Sequence, residues 1–221
     1  MKMISLIIFG VICLGMDVVY SLFNKTKGYK AVLIKGITVL ASCAFAVICA
    51  NLNSLTSALP LFVYLGFGFC LLSEAMTVSQ IDEEKPRMMV FGFLKAFTFA
   101  LFAVGAVSLT GFNVLVLGGG LLLGLGVGCV VCAIKKYKRA YQAFSTIASW
   151  AGVGLLLCEG AFAVFNSIRM ISSVIMLGIG LLLFISHFIE SCAQEGSKLL
   201  YVSSFMYALA LSLFGVLIYF Y

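Results

Sequence analysis

Charge is scarce in this chain. Of its 221 residues only 22 are Asp, Glu, Lys or Arg, far below the roughly 25% of a soluble domain, which excludes a water-soluble body. Histidine is scarcer still. His187 stands alone, too few imidazoles for the usual ligand sets of zinc, so no metal is expected. Proline occurs only at Pro60, on the edge of an apolar run, and at Pro86, in a polar turn. No run is broken by one, whereas transporters commonly build their sites from broken helices. Alternating period-2 patterning is also missing, which excludes a membrane barrel. No connection is long enough to fold as a separate soluble domain, so residues 1–221 read as one domain.

What the chain has is apolar length. Its mean hydropathy is +1.20, and its apolar residues fall into about eight runs, near 3–23, 31–50, 59–78, 88–109, 114–134, 140–164, 170–190 and 199–221. Each is about 20 residues, enough to cross a roughly 30 Å hydrocarbon layer as a helix. Lipid offers no partner to a bare backbone, so only helices remain. The expectation is an all-α polytopic membrane protein, a bundle of about eight transmembrane helices. The first run follows Lys2 but is too long for a signal peptide, carries Asp17 and lacks a small-x-small cleavage site; it reads as a retained span.

Loop charge gives an orientation. The links after runs 1, 3, 5 and 7 carry Lys25, Lys27, Lys30, Lys85, Arg87, Lys135, Lys136, Lys138, Arg139 and Lys198, and the opposite ends carry Lys2 and Arg169. Ten against two places the odd-numbered links in the cytoplasm and both termini outside. The net charge of +6 then reflects topology and anionic headgroups rather than nucleic acid, for which no aromatic-interleaved basic groove exists. The eight cysteines lie almost entirely within runs, where Cys packs as a small hydrophobe. That includes the CxxC of Cys129 and Cys132. In run 5, Gly120, Gly124 and Gly128 recur at every fourth residue, a small-xxx-small face for close helix approach that Gly118, Gly119 and Gly126 would thicken. It has no GK[ST] ending and is not a phosphate loop.

Six ionisable residues inside the runs gather toward one end of them: Asp17, Lys35, Glu74, Lys95, His187 and Glu190. At 1.5 Å per residue most sit roughly 5–11 Å below the cytoplasmic boundary. Ionisable groups at that depth mark functional sites by default. Snorkelling accounts for Lys35 and Glu190 equally well, but not for the short side chains of Asp17 and Glu74. Thr77, Ser145, Ser149, Ser186, Ser203 and Tyr207 share the layer and suit a polar cavity. Glu159 lies toward the other end with no evident partner. Spans 3 and 7 echo each other in Ser73-Glu74 and Ser186-His187.

Over most of its length the chain resembles the YhhN family, bacterial relatives of the TMEM86 lysoplasmalogenases. The resemblance lies in Asp17-Val18-Val19-Tyr20, in Tyr29-Lys30 through Lys35-Gly36, and in Gly66-Phe67-Gly68-Phe69-Cys70-Leu71-Leu72-Ser73-Glu74. It continues in Gly92-Phe93-Leu94, Phe184-Ile185-Ser186-His187 and Tyr207-Ala208-Leu209-Ala210. The chain departs from the family pattern with Gly36 for proline, His187 for aspartate, Ala100 for histidine and Leu211 for glutamine. The resemblance implies cleavage of the vinyl-ether bond of a lysoplasmalogen, a membrane lysophospholipid, to a fatty aldehyde and a glycerophospho-headgroup, with no cofactor. Such chemistry needs a proton donor to carbon and a group that handles water. The roles implied are Glu74 as donor, His187 or Asp17 as base, Lys35 and Lys95 on the phosphate, and Ser186 and Tyr207 against the substrate. The setting would be a bacterial cell membrane. Two other readings remain open: an inactive lipid-binding member of the family, and a transporter of small solutes or ions.

Overall fold

Each apolar run becomes one α-helix in a computed structural model of the chain, which describes residues 2–23, 29–53, 57–79, 85–137, 140–166, 169–193 and 197–221. The helices are α1 (Lys2–Phe23), α2 (Tyr29–Asn53), α3 (Ala58–Ser79), α4 (Lys85–Thr110), α5 (Val114–Lys135), α6 (Ala140–Asn166), α7 (Met170–Cys192) and α8 (Leu199–Phe220). All eight are long and apolar enough to cross a membrane, and no strand occurs among the described residues. The chain is an integral membrane protein. The loop positions Lys25, Lys27, Lys138 and Arg139, on which much of the expected orientation rests, lie outside the described residues. So do the side chains of Lys2, Lys30, Lys85 and Arg87.

Local chemistry explains the link between α4 and α5. Gly111 turns the chain at φ +80°, a conformation that costs a residue without Cβ nothing. Asn113 then caps α5, its side-chain oxygen accepting from the N–H groups of Leu115 at 3.0 Å and Val116 at 3.4 Å. Such a cap satisfies donors that a helix start leaves unpaired.

Neighbouring helices close into a ring, α2–α3–α4–α6–α7–α8, with α8 returning to α2. Helix α1 packs outside it on α2 and α8, and α5 packs outside it on α6. Between lipid-facing helices the cohesion is close packing rather than hydrophobic exclusion, and glycine supplies it. A Cβ on Gly124 would lie 2.2 Å from the Trp150 carbonyl oxygen, and one on Gly154 would lie 2.4 Å from that of Gly120. The expected Gly120-Gly124-Gly128 face is therefore the α5–α6 contact. Gly118, Gly119 and Gly126 do not thicken it, because a Cβ on any of them would meet nothing within 4 Å. They fall off the stripe because only every fourth residue returns to one helix face.

The second four helices repeat the first four. Every buried position of α3 from Leu59 to Glu74 has a buried counterpart in α7 113 residues later, from Ser172 to His187. Buried positions of α4 from Gly92 to Ala106 recur in α8 112 residues later, from Ser204 to Ile218. Neighbour relations repeat as well: α2–α3 with α6–α7, α3–α4 with α7–α8, and α4–α6 with α8–α2. The echo of Ser73-Glu74 in Ser186-His187 is thus part of a whole-bundle repeat. Equivalent residues meet where the halves face each other, Phe102 and Phe214 with ring centroids 4.1 Å apart. Phe67 packs edge-on against both rings, and these three fill the interior. At the end away from the basic links, hydrogen bonds tie the helix tips together. Ser172 donates to the Phe220 carbonyl at 2.9 Å, Tyr221 to that of Ser108 at 3.1 Å, and the Asn53 amide to that of Tyr219.

Candidate functional site

At the basic end the ring is not filled. A polar cavity of about 80 Å³ lies there, with Glu74 from α3, Lys35 from α2 and Lys95 from α4 on its walls. Phe91 from α4, Glu190 from α7, Tyr207 from α8 and Tyr20, reaching in from α1, complete the charged and aromatic lining. At the roughly 10–15 Å³ that one water needs, it has room for several. A second cavity of about 470 Å³ adjoins it and shares Phe91, Lys95 and Glu190. His187, Trp150, Ser145 and Ser149 belong to that second space.

Glu74 is buried, at 7% exposure, and accepts a hydrogen bond from the Tyr20 hydroxyl at 3.2 Å. Tyr20 reaches it because α1 leans into the angle between α2 and α8, and its ring lies 6.1 Å from that of Tyr207. The Lys95 ammonium is 3.6 Å from the Glu190 carboxylate and 5.6 Å from the centre of the Tyr207 ring. Lys35 lies 5.6 Å from the centre of the Tyr20 ring, so both lysines rest on aromatic faces, where a cation is attracted to the ring quadrupole. His187 is wedged edge-on between Phe99 and Trp150. The Trp150 Nε1 and His187 Nδ1 atoms are buried without a hydrogen-bond partner among the described residues.

The expected site residues therefore separate into three groups. Glu74, Lys35, Lys95, Ser186 and Tyr207 share the inner cavity. His187 faces its neighbour, with the Lys95–Glu190 pair common to both spaces. Asp17 lines neither. It is fully buried between α1 and α8 and accepts from Ser212 at 3.1 Å, which in turn meets Ser42 of α2 at 3.1 Å. Ser212 lies well inside α8, so Asp17 sits deeper than its count from the end of α1 implies, and this chain of hydroxyls ties α1 into the bundle. Ser186 lines the cavity, but its hydroxyl is committed to helix pairing. It donates to the Ser203 carbonyl at 2.8 Å while Ser203 donates back to that of Ser186 at 2.9 Å. Glu159 does have a partner: Thr110 donates to it at 3.0 Å, toward the opposite end. The side chain of Thr77 lies outside those described.

Two contributors escape a reading by charge and depth. Tyr20 donates to the buried acid and Trp150 walls the second cavity, while Glu190, which that reading left equally to snorkelling, lines both cavities. Tyr20 follows Asp17 by three residues and so lies on nearly the same helix face, a signal present in the sequence. Trp150 is the only tryptophan of the chain, which by itself points nowhere.

Compared with protein-family models, curated proteins and solved structures, the chain matches none of them.

Proposed function

We propose that the chain is a membrane-embedded lipid hydrolase acting on the vinyl-ether bond of lysoplasmalogens in a bacterial cell membrane, with both termini outside. One observation carries this reading: a buried carboxyl, Glu74, stands in a small polar cavity beside a Lys–Glu ion pair at the basic end of the bundle. A vinyl ether is cleaved by adding a proton to the outer alkene carbon, which leaves an oxocarbenium-like carbon next to oxygen. Glu74 supplies that proton, and Tyr20 fixes its orientation. Water attacks the oxocarbenium carbon, and its proton passes to Glu190, the carboxylate on both cavities, or on to His187 behind it. The hemiacetal then collapses. Its hydroxyl proton goes to the departing glyceryl oxygen and the carbonyl of the aldehyde forms, so one water is consumed and the proton on Glu190 restores Glu74. Fixed charges beside a buried carboxyl such as Glu74 act strongly on developing charge. Lys95 and Lys35 offer compact positive charge for the phosphate.

The test is release of fatty aldehyde from a lysoplasmalogen by purified protein in vesicles. The expected outcome is release by the intact chain and loss of about 10²-fold or more in Glu74→Gln, the lower range for removing an acid catalyst. No release by the intact protein, or unchanged release in the variant, sinks the assignment. Binding without turnover would favour the inactive lipid-binding reading, which Leu211 supports: the family's glutamine position is here a fully buried apolar residue. Transport is disfavoured because Phe67, Phe102 and Phe214 fill the ring beyond the cavity. Solute flux in proteoliposomes without lipid turnover would reverse that order.

A further inference from the structure

A third cavity, of about 470 Å³, opens sideways between α2 and α3. Its walls are apolar, Leu33, Ile37 and Leu40 from α2 facing Leu71 and Ala75 from α3. Leu33, Ile37 and Leu40 are about half exposed, and on spanning helices that surface meets lipid. One residue is shared, among the described residues, between this groove and the inner polar cavity: Glu74. Glu74 thus borders both the apolar groove and the polar cavity.

The corresponding seam in the second half is shut. A Cβ on Gly160 of α6 would lie 2.8 Å from the Leu177 Cα, and one on Gly180 of α7 would lie 2.9 Å from the Leu157 Cα, so α6 and α7 touch backbone to backbone. On α2 the groove is floored by Gly36, where a Cβ would meet nothing within 4 Å. Its missing side chain leaves a hollow rather than a contact.

We propose that the α2–α3 groove seats the single hydrocarbon chain of a lysophospholipid and delivers the chain's first carbons to Glu74, with Gly36 as the residue that admits it. The occupant's identity rests on the lipid-substrate reading above; the groove and its end-point do not. From Val32 to Leu40 the groove runs about 12 Å along α2, less than half the roughly 30 Å hydrocarbon layer. It therefore grips the part of the chain nearest the headgroup and leaves the tail in the bilayer. Chain length should matter little, and a second acyl chain has no seat.

The experiment uses full-length protein in phosphatidylcholine vesicles with an alkyl-ether lysophosphocholine carrying a diazirine on the first methylenes, a probe that cannot be hydrolysed at a vinyl ether. After photolysis, adducts are mapped by peptide mass spectrometry. Expected are adducts concentrated at residues 32–40 and 71–75, competed by unlabelled lysolipid but not by diacyl lipid or free fatty acid. Gly36→Phe should reduce them by roughly tenfold or more, since even one methylene in an apolar pocket changes binding by about 10–200-fold. Gly68→Phe, on α3 outside the groove and likewise where a Cβ meets nothing, should label like the parent and controls for folding. Adducts equally dense on α1 and α5, undiminished labelling in Gly36→Phe, or competition by diacyl lipid or fatty acid would overturn the proposal. Groove labelling without aldehyde release leaves the groove standing and removes the hydrolase. Aldehyde release without groove labelling does the reverse.

Discussion

The glycine contact between α5 and α6 yields a prediction whose size follows from geometry. Replacing Gly124 by Ala puts a methyl 2.2 Å from the Trp150 carbonyl oxygen and 2.7 Å from the Ala151 Cα. Both obstacles are backbone and cannot rotate away. Ordinary contact begins near 3.4 Å, so α5 and α6 must part locally by about 1 Å, and attraction between packed atoms falls steeply over such a gap. Overpacking of this kind costs about 1–3 kcal/mol. Gly126→Ala is the reference, since its methyl meets nothing within 4 Å. Both substitutions gain the same helix propensity, up to about 1 kcal/mol, so their difference isolates the clash. Gly124→Ala should be less stable than Gly126→Ala by about 1–3 kcal/mol. Unfolding in mixed micelles can be followed by fluorescence of Trp150, the only tryptophan, whose own backbone lies at the contact. Equal stability of the two variants would refute a backbone-to-backbone seam.

Other expectations concern the cavity. Tyr20→Phe removes the donor to the carboxylate that forms on Glu74 as its proton leaves; a hydrogen bond to a charged group is worth about 1.5–3 kcal/mol, so aldehyde release should fall roughly ten- to hundredfold with helicity by circular dichroism unchanged. Lys95→Met should leave unfolding within about 1 kcal/mol of the parent, because its ion pair with a half-exposed Glu190 contributes little to stability. It should nonetheless weaken lysolipid binding measured by equilibrium partition; unaltered binding removes Lys95 from the phosphate site. Glu159→Gln keeps an acceptor for Thr110 at the far end and should turn over substrate at the parent rate, so a clear loss would contradict a site confined to the basic end.

Helix number and limits were legible because hydrocarbon thickness leaves few alternatives: the eight runs and the eight helices differ by no more than three residues at any end. The shared depth of Glu74, Lys35 and Lys95 was legible for the same reason, since rise per residue converts position into depth. Two things were hidden. Depth counted from a helix end fails when a helix is displaced along its axis, as Asp17 shows by meeting Ser212. Which helices are neighbours is also invisible to hydropathy, so the partner of Glu159 and the division between the spaces of Glu74 and His187 required the packing. Glycine spacing marked a close seam at Gly120, Gly124 and Gly128, yet spacing alone could not show that isolated Gly36 does the opposite and leaves space.

The repeat explains why the cavity opens at one end and faces lipid on one side. In a symmetric pair of four-helix halves, equivalent positions would carry like chemistry, and two identical carboxyls or two lysines facing across the ring would repel in a low-dielectric interior. Here the halves have parted where they meet. His187 holds the place of Glu74 in the other half and Tyr207 that of Lys95, so neither the carboxyl nor the ammonium is repeated across the ring. Where divergence brings no chemical gain the halves remain alike, as in Phe102 and Phe214, and the interior stays plugged. The lateral seams follow the same rule. Glycines at 160 and 180 close one against backbone, while the unfilled Gly36 leaves space in the other, whose groove also includes the acid. Among the described residues, Glu74 is where the lateral α2–α3 groove meets the polar cavity at the basic end.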